Sequence, residues 1–69
     1  MGDVQELDLI VKRQPDGRWS IHQRRGYTEP LIRGPYATRP DAETHAQKLS
    51  ESVRCDVFVE VTPGIPQKL

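Results

Sequence analysis

The sequence predicts an α+β fold in which a single helix packs on one face of a three- to four-stranded, mostly antiparallel sheet. Three observations lead to this prediction. Apolar and polar residues alternate on both sides of a Pro-Asp-Gly turn within residues 7–23, a capped helix pattern begins at Thr38, and a second alternating, β-branched segment occupies residues 55–61. The predicted order is strand, strand, an irregular segment with room for one short strand, helix, strand.

The turn at residues 15–17 sets the register of the first two strands. Its Pro-Asp-Gly sequence is typical of a three-residue hairpin loop, since proline fixes φ at the first position and glycine accepts a positive φ at the third. Counting outward places Ile10 opposite His22 and Asp8 opposite Arg24, where the opposite charges predict a cross-strand ion pair. The face toward the helix is then predicted to hold Leu9, Val11, Trp19 and Ile21.

The helix is predicted to begin after Thr38 and to end near Val53 or Arg54. Thr38 and Asp41, three residues later, form the Asp variant of a capping box, which supplies a hydrogen-bond acceptor to the first turn. The predicted apolar stripe consists of Ala42, Ala46, Leu49 and Val53. In the strand that follows, the residues predicted to face inward are Cys55, Val57, Val59 and Val61.

Two segments are rich in proline and glycine. Residues 26–37 are predicted to form a loop with at most a short edge strand, because their prolines and glycines disfavour a helix or a central strand. Residues 62–69 are predicted to be a flexible C-terminal tail on a single domain of residues 1–61, and residues 1–3 are expected to be frayed.

Charge is unevenly distributed, although the formal net charge is zero. Residues 12–39 contain seven Lys and Arg residues against two acidic residues, a net charge of +5, whereas residues 1–11 carry −3 and residues 40–69 carry −2. A basic centre between acidic ends predicts either an anion-binding surface or a chain that pairs its own charges. The sequence alone leaves both interpretations open.

No motif predicts catalysis, a cofactor or a metal site. The glycines lack the strand-to-helix context of a phosphate-binding loop, two histidines supply too few metal ligands, and Cys55 is predicted to be a small buried group. A single cysteine forms no internal disulfide, no secretion signal is recognisable, and no apolar run exceeds three residues. These features predict a non-enzymatic protein of the reducing cytoplasm that does not contact the membrane.

The candidate functional surface is the sheet face opposite the helix, with Ile10 and Phe58 predicted at its centre and cations around them. Such a mixture suits a protein partner or a homodimer, and it also suits nucleic acid, whose bases stack on rings while cations meet phosphates. A third interpretation is that residues 26–37 or the tail cover this face. The predicted partner or nucleic-acid surface consists of Ile10, Lys12, Arg18, His22, Arg24, Arg25, Arg33 and Phe58.

Two family resemblances appear in these patterns. A group of small bacterial domains of unknown function resembles residues 7–61 and implies this fold without an activity; the matching positions are Asp16, Gly17, Trp19, Thr38, Ala42, Ala46 and the strand 57–61. The start of the hairpin's second strand and of the helix, at Gly17, Trp19 and residues 38–42, also resembles the amino-terminal arm domain of tyrosine recombinases, which lays its sheet in a DNA major groove. The present chain differs from that pattern in having a strand after the helix.

The sequence thus favours a small non-enzymatic binding module that acts in protein interaction or self-association through the open sheet face. The alternative is a nucleic-acid-binding accessory protein that uses the basic residues of segment 12–39. The two hypotheses make different predictions. Nucleic-acid binding through about four or five phosphate contacts should weaken steeply with salt, whereas self-association predicts a dimer that Phe58→Asp or Ile10→Asp disrupts without unfolding the monomer.

Overall fold

The computed structural model describes residues 4–69, which form one helix packed against a five-stranded mixed sheet. In chain order the elements are β1 (Leu9–Arg13), β2 (Trp19–Gln23), β3 (Leu31–Tyr36), α1 (Arg39–Val53), β4 (Val57–Thr62) and β5 (Ile65–Lys68). The α+β class with one helix on a sheet is confirmed, and the sheet has more strands than the three or four predicted. The expectation of fraying at residues 1–3 lies outside the described residues.

The hairpin of β1 and β2 has the predicted register, with Ile10 opposite His22 and the pairing running from Leu9 opposite Gln23 to Arg13 opposite Trp19. The loop also has the expected geometry, because the Gly17 N–H donates to the Gln14 carbonyl at 2.9 Å and Gly17 has a φ of 88°. Local turn chemistry therefore fixes which side chains of β1 and β2 share a face.

The strands are arranged in the order β3-β2-β1-β4-β5, so β1 lies at the centre of the sheet. β1 and β4 are parallel, since α1 lies in the connection that leads to β4, and the other neighbouring pairs are antiparallel. The buried core under the helix consists of Leu9, Val11, Ile21, Ala42, Ala46, Val57 and Val59. Partly buried side chains packed against this core are Trp19, Ile32, Tyr36, Leu49 and Cys55.

The helix begins and ends as its sequence indicates. The Thr38 side chain accepts a hydrogen bond from the Asp41 N–H at 3.3 Å, and Arg54 ends α1 in the left-handed conformation with a φ of 62°. Two valines predicted to face inward are instead exposed, Val53 by 40% and Val61 by 49%. Val53 is the last residue of α1, and Val61 follows Glu60, the last residue of β4 that pairs with β1.

The two edge strands occupy segments in which proline and glycine predicted little regular structure. β3 spans six residues where only a short strand was expected, and its pairing with β2 is interrupted by register shifts. The predicted flexible tail contains β5, because the chain turns at Pro63 and Gly64 and returns along β4. Proline disfavours a central strand but is tolerated at an edge, where one side of the strand makes no ladder hydrogen bonds. No helix within residues 4–69 is long and apolar enough to cross a membrane.

Candidate functional site

The sheet face opposite α1, here called the open face, is laid out in two rows by the strand register. The first row runs across all five strands through Leu31, His22, Ile10, Phe58 and Lys68. The second row runs through Ser20, Lys12 and Glu60. Side chains from β1, β2 and β4 that are far apart in sequence are thus direct neighbours on this face.

The apolar centre of the open face is not displayed to solvent. Ile10 is 0% exposed and Phe58 is 1% exposed, although neither belongs to the core cluster under the helix. The prediction that these two side chains contact a partner is therefore corrected. They are buried apolar groups on the second side of the sheet.

Glu29, from the segment between β2 and β3, pairs with the two cations that flank this apolar centre. Its carboxylate lies 2.5 Å from Lys12 Nζ and 3.1 Å from Arg24 Nη2, and all three side chains are no more than about a third exposed. Glu60 is a second, more distant partner of Lys12, at 3.9 Å. The chain therefore pairs its own charges here, and the carboxylate comes from segment 26–37.

The predicted ion pair between Asp8 and Arg24 does not form, although their backbones do pair, with the Arg24 N–H donating to the Asp8 carbonyl at 3.0 Å. Arg24 turns to Glu29 instead, while the Asp8 carboxylate accepts from two backbone N–H groups. The Arg24 Nε–H is buried and has no hydrogen-bond partner within the described part of the chain. Arg24 is therefore held at one end of its guanidinium only.

Lys12 and Arg24 also hold the pKa of the Glu29 carboxyl below its ordinary value of 4.5. The hydrogen bond from Lys12 is the main cause; partial burial opposes it, and the charges of both cations lower the pKa further. A carboxyl whose pKa is lowered by folding stabilises the folded state above the unfolded-state pKa, and this contribution disappears as the pH falls through the folded-state pKa.

We expect Glu29→Gln to lower the free energy of unfolding by about 1 kcal/mol at neutral pH and by progressively less below about pH 4.5. Urea denaturation from pH 3 to pH 7 measures this difference. Glu51→Gln, which alters an exposed carboxylate on α1, is the matched control and should show no such pH-dependent difference. A Glu29→Gln difference that is independent of pH would contradict the assigned ion pairs.

His22 is held in a polar network beside these ion pairs. Its Nδ1 lies 2.8 Å from the Glu29 carbonyl oxygen, which can only accept, so Nδ1 donates this hydrogen bond. Its Nε2 then accepts from the Ser20 hydroxyl at 2.9 Å, and the Gln14 amide donates to the same Ser20 oxygen. These hydrogen bonds join the end of β1, the strand β2 and the segment before β3.

A hydroxyl hydrogen-bonded to an imidazole is a pairing that the sequence reasoning missed. The available signal was the placement of Ser20 and His22 two residues apart on one face of β2. Ser20 is completely buried, so its hydroxyl does not meet a substrate in this conformation. The pair positions groups within the fold.

An open groove of about 610 Å³ lies at the end of the sheet where the β1–β2 loop meets the β4–β5 turn. It is lined by Lys12, Arg13, Gln14, Pro15, His22, Glu60, Val61 and Pro63. Charged and polar side chains from the open face are joined there by apolar residues from the two turns. Of the predicted surface residues, the groove brings together Lys12 and His22.

The remaining predicted basic residues lie in separate places. Arg18 is exposed in the hairpin loop, where its Nε lies 3.8 Å from the Asp16 carboxylate. Arg25 Nε donates to the Gln23 side chain at 3.0 Å, and Arg33 lies on β3. The structure thus distributes these cations over several surfaces.

Cys55 and the acidic residues near it form no evident reactive centre. Burial raises the pKa of the Cys55 thiol, and the Asp8 and Asp56 charges raise it further, so the thiol is protonated at neutral pH. Within residues 4–69, no group of three or more His, Cys, Asp or Glu side chains is arranged to hold a metal ion.

The fold and this surface define a small α+β domain with a polar, groove-bearing sheet face. Comparison of the sequence with known protein families gives no match, and comparisons with curated proteins and with solved structures give none either. The two family resemblances seen in the sequence therefore stay predictions.

Proposed function

We propose that this domain is a protein-interaction module that binds an extended segment of a partner protein in the groove between the β1–β2 loop and the β4–β5 turn. The observation that carries the proposal is the composition of this groove. Apolar side chains of Pro15, Val61 and Pro63 stand beside Lys12 and Glu60, whose charges offset each other. Interfaces between proteins combine apolar contacts with satisfied polar groups in this way.

The hydrogen-bonded polar side chains that line the groove support the same proposal. His22 and Gln14 line the groove, and the side chains of both are hydrogen-bonded to the Ser20 hydroxyl. A surface that is already ordered loses little conformational entropy when a partner binds.

The sheet edges disfavour self-association by strand pairing between copies of the chain. On β5 the Leu69 N–H donates inward to the Val57 carbonyl, so alternation along the strand turns Pro66 toward the free edge. Proline has no N–H to donate there, and β3, the other edge, contains Pro35. Prolines at edges hinder strand addition between copies.

Charge pairing disfavours nucleic acid as the partner of this face. Lys12 and Arg24 already bind Glu29, and Arg18 lies near Asp16, whereas phosphate binding requires cations that are free to replace counterions. The proposal places the module in the reducing cytoplasm, because the single cysteine forms no disulfide within the chain.

Peptides selected from a random library on the folded protein test the proposal. We expect them to shift the NMR signals of residues 12–14 and 60–62 and to lose at least about tenfold in affinity when Val61 is changed to aspartate, since a charge replaces an apolar contact. Val53→Asp is the matched control, because Val53 is similarly exposed but lies at the end of α1. Its affinity should be that of the unaltered protein.

Three outcomes would overturn the proposal. They are a library that yields no binder, signal shifts confined to surfaces outside the groove, and equal losses in the Val61 and Val53 variants. A dimer in sedimentation that Val61→Asp dissociates would assign the groove to a second copy of the chain.

A further inference from the structure

A second cavity, of about 200 Å³, lies between β3 and α1 on the helix side of the sheet. It is lined by Arg33, Tyr36, His45, Lys48 and Leu49 and is called here the β3–α1 cleft. The cleft is separate from the groove of the proposed function, which shares none of these residues.

The inner wall of the β3–α1 cleft is aromatic and apolar. Tyr36 and His45 meet edge to face with ring centroids 5.0 Å apart, and Tyr36 and Leu49 pack against the core under the helix. Core packing limits the motion of the Tyr36 ring. A planar ligand ring therefore finds the core-packed ring of Tyr36 and the exposed imidazole of His45 in the cleft.

The mouth of the cleft carries two cations, Arg33 and Lys48. Neither Arg33 nor Lys48 forms an ion pair within residues 4–69, in contrast to Lys12, Arg24 and Arg39. Arg33 Nη1 donates to the Ile32 carbonyl at 2.8 Å, which leaves its other N–H groups for a ligand. Among residues 4–69, no acidic side chain lines the cleft, so its charge attracts an anion.

We propose that the β3–α1 cleft binds a small aromatic phosphate, that is, a planar ring carrying a phosphate monoester. The volume is below the roughly 300–1,000 Å³ of pockets for drug-sized ligands, which limits the ligand to about one ring and its anionic group. A phosphate monoester carries a charge of about −1.5 to −2 at neutral pH, which matches the two permanent cations. The ring lies against Tyr36 and His45, and the guanidinium of Arg33 supplies paired donors to the phosphate oxygens.

Calorimetric and NMR titration of the full chain with phenyl phosphate tests this proposal. We expect shifts at the amides of Arg33, Tyr36 and His45, with binding at least about tenfold tighter than that of inorganic phosphate or of phenol. Arg33→Gln and Lys48→Gln should each weaken the binding about tenfold. Arg18→Gln and Arg54→Gln remove the same charge from exposed positions outside the cleft and should leave it unchanged.

The comparison ligands decide between specific recognition and a general attraction of anions. Phenyl phosphate binding no tighter than inorganic phosphate, shifts elsewhere on the surface, or equal losses in the Arg18 and Arg33 variants would overturn the proposal. Adenosine monophosphate tests the size limit, because its two-ring base and ribose exceed a single ring with a phosphate. It should bind at least about tenfold more weakly than phenyl phosphate, and equal binding would overturn the assignment to a single-ring phosphate.

Discussion

Replacing Phe58 with alanine is expected to lower the free energy of unfolding by about 3–5 kcal/mol. Phe58 is 1% exposed, and it lies on β4, which pairs with a strand on each side. Removing the ring leaves a cavity next to Ile10 on the side of the sheet that the helix does not cover. For a domain of this size, such a loss is a large part of a total stability of about 5–15 kcal/mol.

Urea denaturation followed by circular dichroism measures this effect, and Val61→Ala on the same strand is the control. Val61 is 49% exposed, so its truncation should cost less than about 1 kcal/mol. Similar costs for the two variants would show that Phe58 is accessible in solution. In that case the original prediction of a partner contact at this position would regain its support.

The sequence was sufficient to predict the features that depend on near neighbours in the chain. The Pro-Asp-Gly loop and the alternation on either side of it determine the pairing of Ile10 with His22, and the same local chemistry at Thr38 determines where α1 begins. These features depend on a few adjacent residues. Each could therefore be predicted without knowledge of the tertiary structure.

Burial of the open face could not be predicted in this way. Alternation assigned Ile10 and Phe58 to the face opposite the helix, but it does not specify what covers that face. The ion pairs of this face could not be predicted from alternation either, because Glu29, one of the two acidic residues within the basic segment 12–39, folds back to Lys12 and Arg24. An isolated carboxylate among seven cations is a signal of internal pairing, and its partners follow only from the tertiary structure.

The edge strands and the two cavities depend on still longer-range relations. Proline predicted irregular structure for the segments that became β3 and β5, because a sequence does not say whether a strand lies at an edge or in the centre. The groove joins two turns that lie 48 residues apart in the sequence, at Pro15 and Pro63, and the β3–α1 cleft depends on how α1 packs beside β3. Residue types alone do not indicate such contacts.

The backbone of the two residues before β1 also has a conformation that could not be predicted from the sequence. Leu7 and Asp8 both face Arg24, since the Leu7 N–H donates to the Arg24 carbonyl and the Arg24 N–H donates to the Asp8 carbonyl. Leu7 adopts a φ of 73°, a conformation usually taken by glycine at the first position of such a bulge. Without a glycine the sequence carries no sign of the bulge, which turns the Asp8 side chain away from the predicted ion pair.

Asp8 is therefore expected to act as a structural acceptor, and Asp8→Ala should lower the free energy of unfolding by about 2–4 kcal/mol. The side chain is almost fully buried, and its two oxygens accept from the Gln5 N–H at 2.8 Å and the Asp56 N–H at 2.9 Å. Alanine leaves both N–H donors without this acceptor. Each hydrogen bond to a charged group contributes about 1.5–3 kcal/mol, and the expected total is smaller than two such bonds because neighbouring groups or water partly replace the lost acceptor.

Two further variants separate this role from a general effect of charge. Asp8→Asn keeps one acceptor oxygen and should cost about half as much, whereas Asp56→Ala removes an exposed carboxylate whose partner, Lys68, lies 3.6 Å away, and should cost less than about 1 kcal/mol. Denaturation gives the three free energies, and hydrogen exchange at the Asp56 amide should accelerate only when Asp8 is altered. Equal costs for Asp8→Ala and Asp56→Ala would contradict the assignment, because the Asp8 carboxylate holds the Gln5 N–H within its own segment and joins that segment to the Asp56 N–H before β4, whereas the Asp56 carboxylate is exposed.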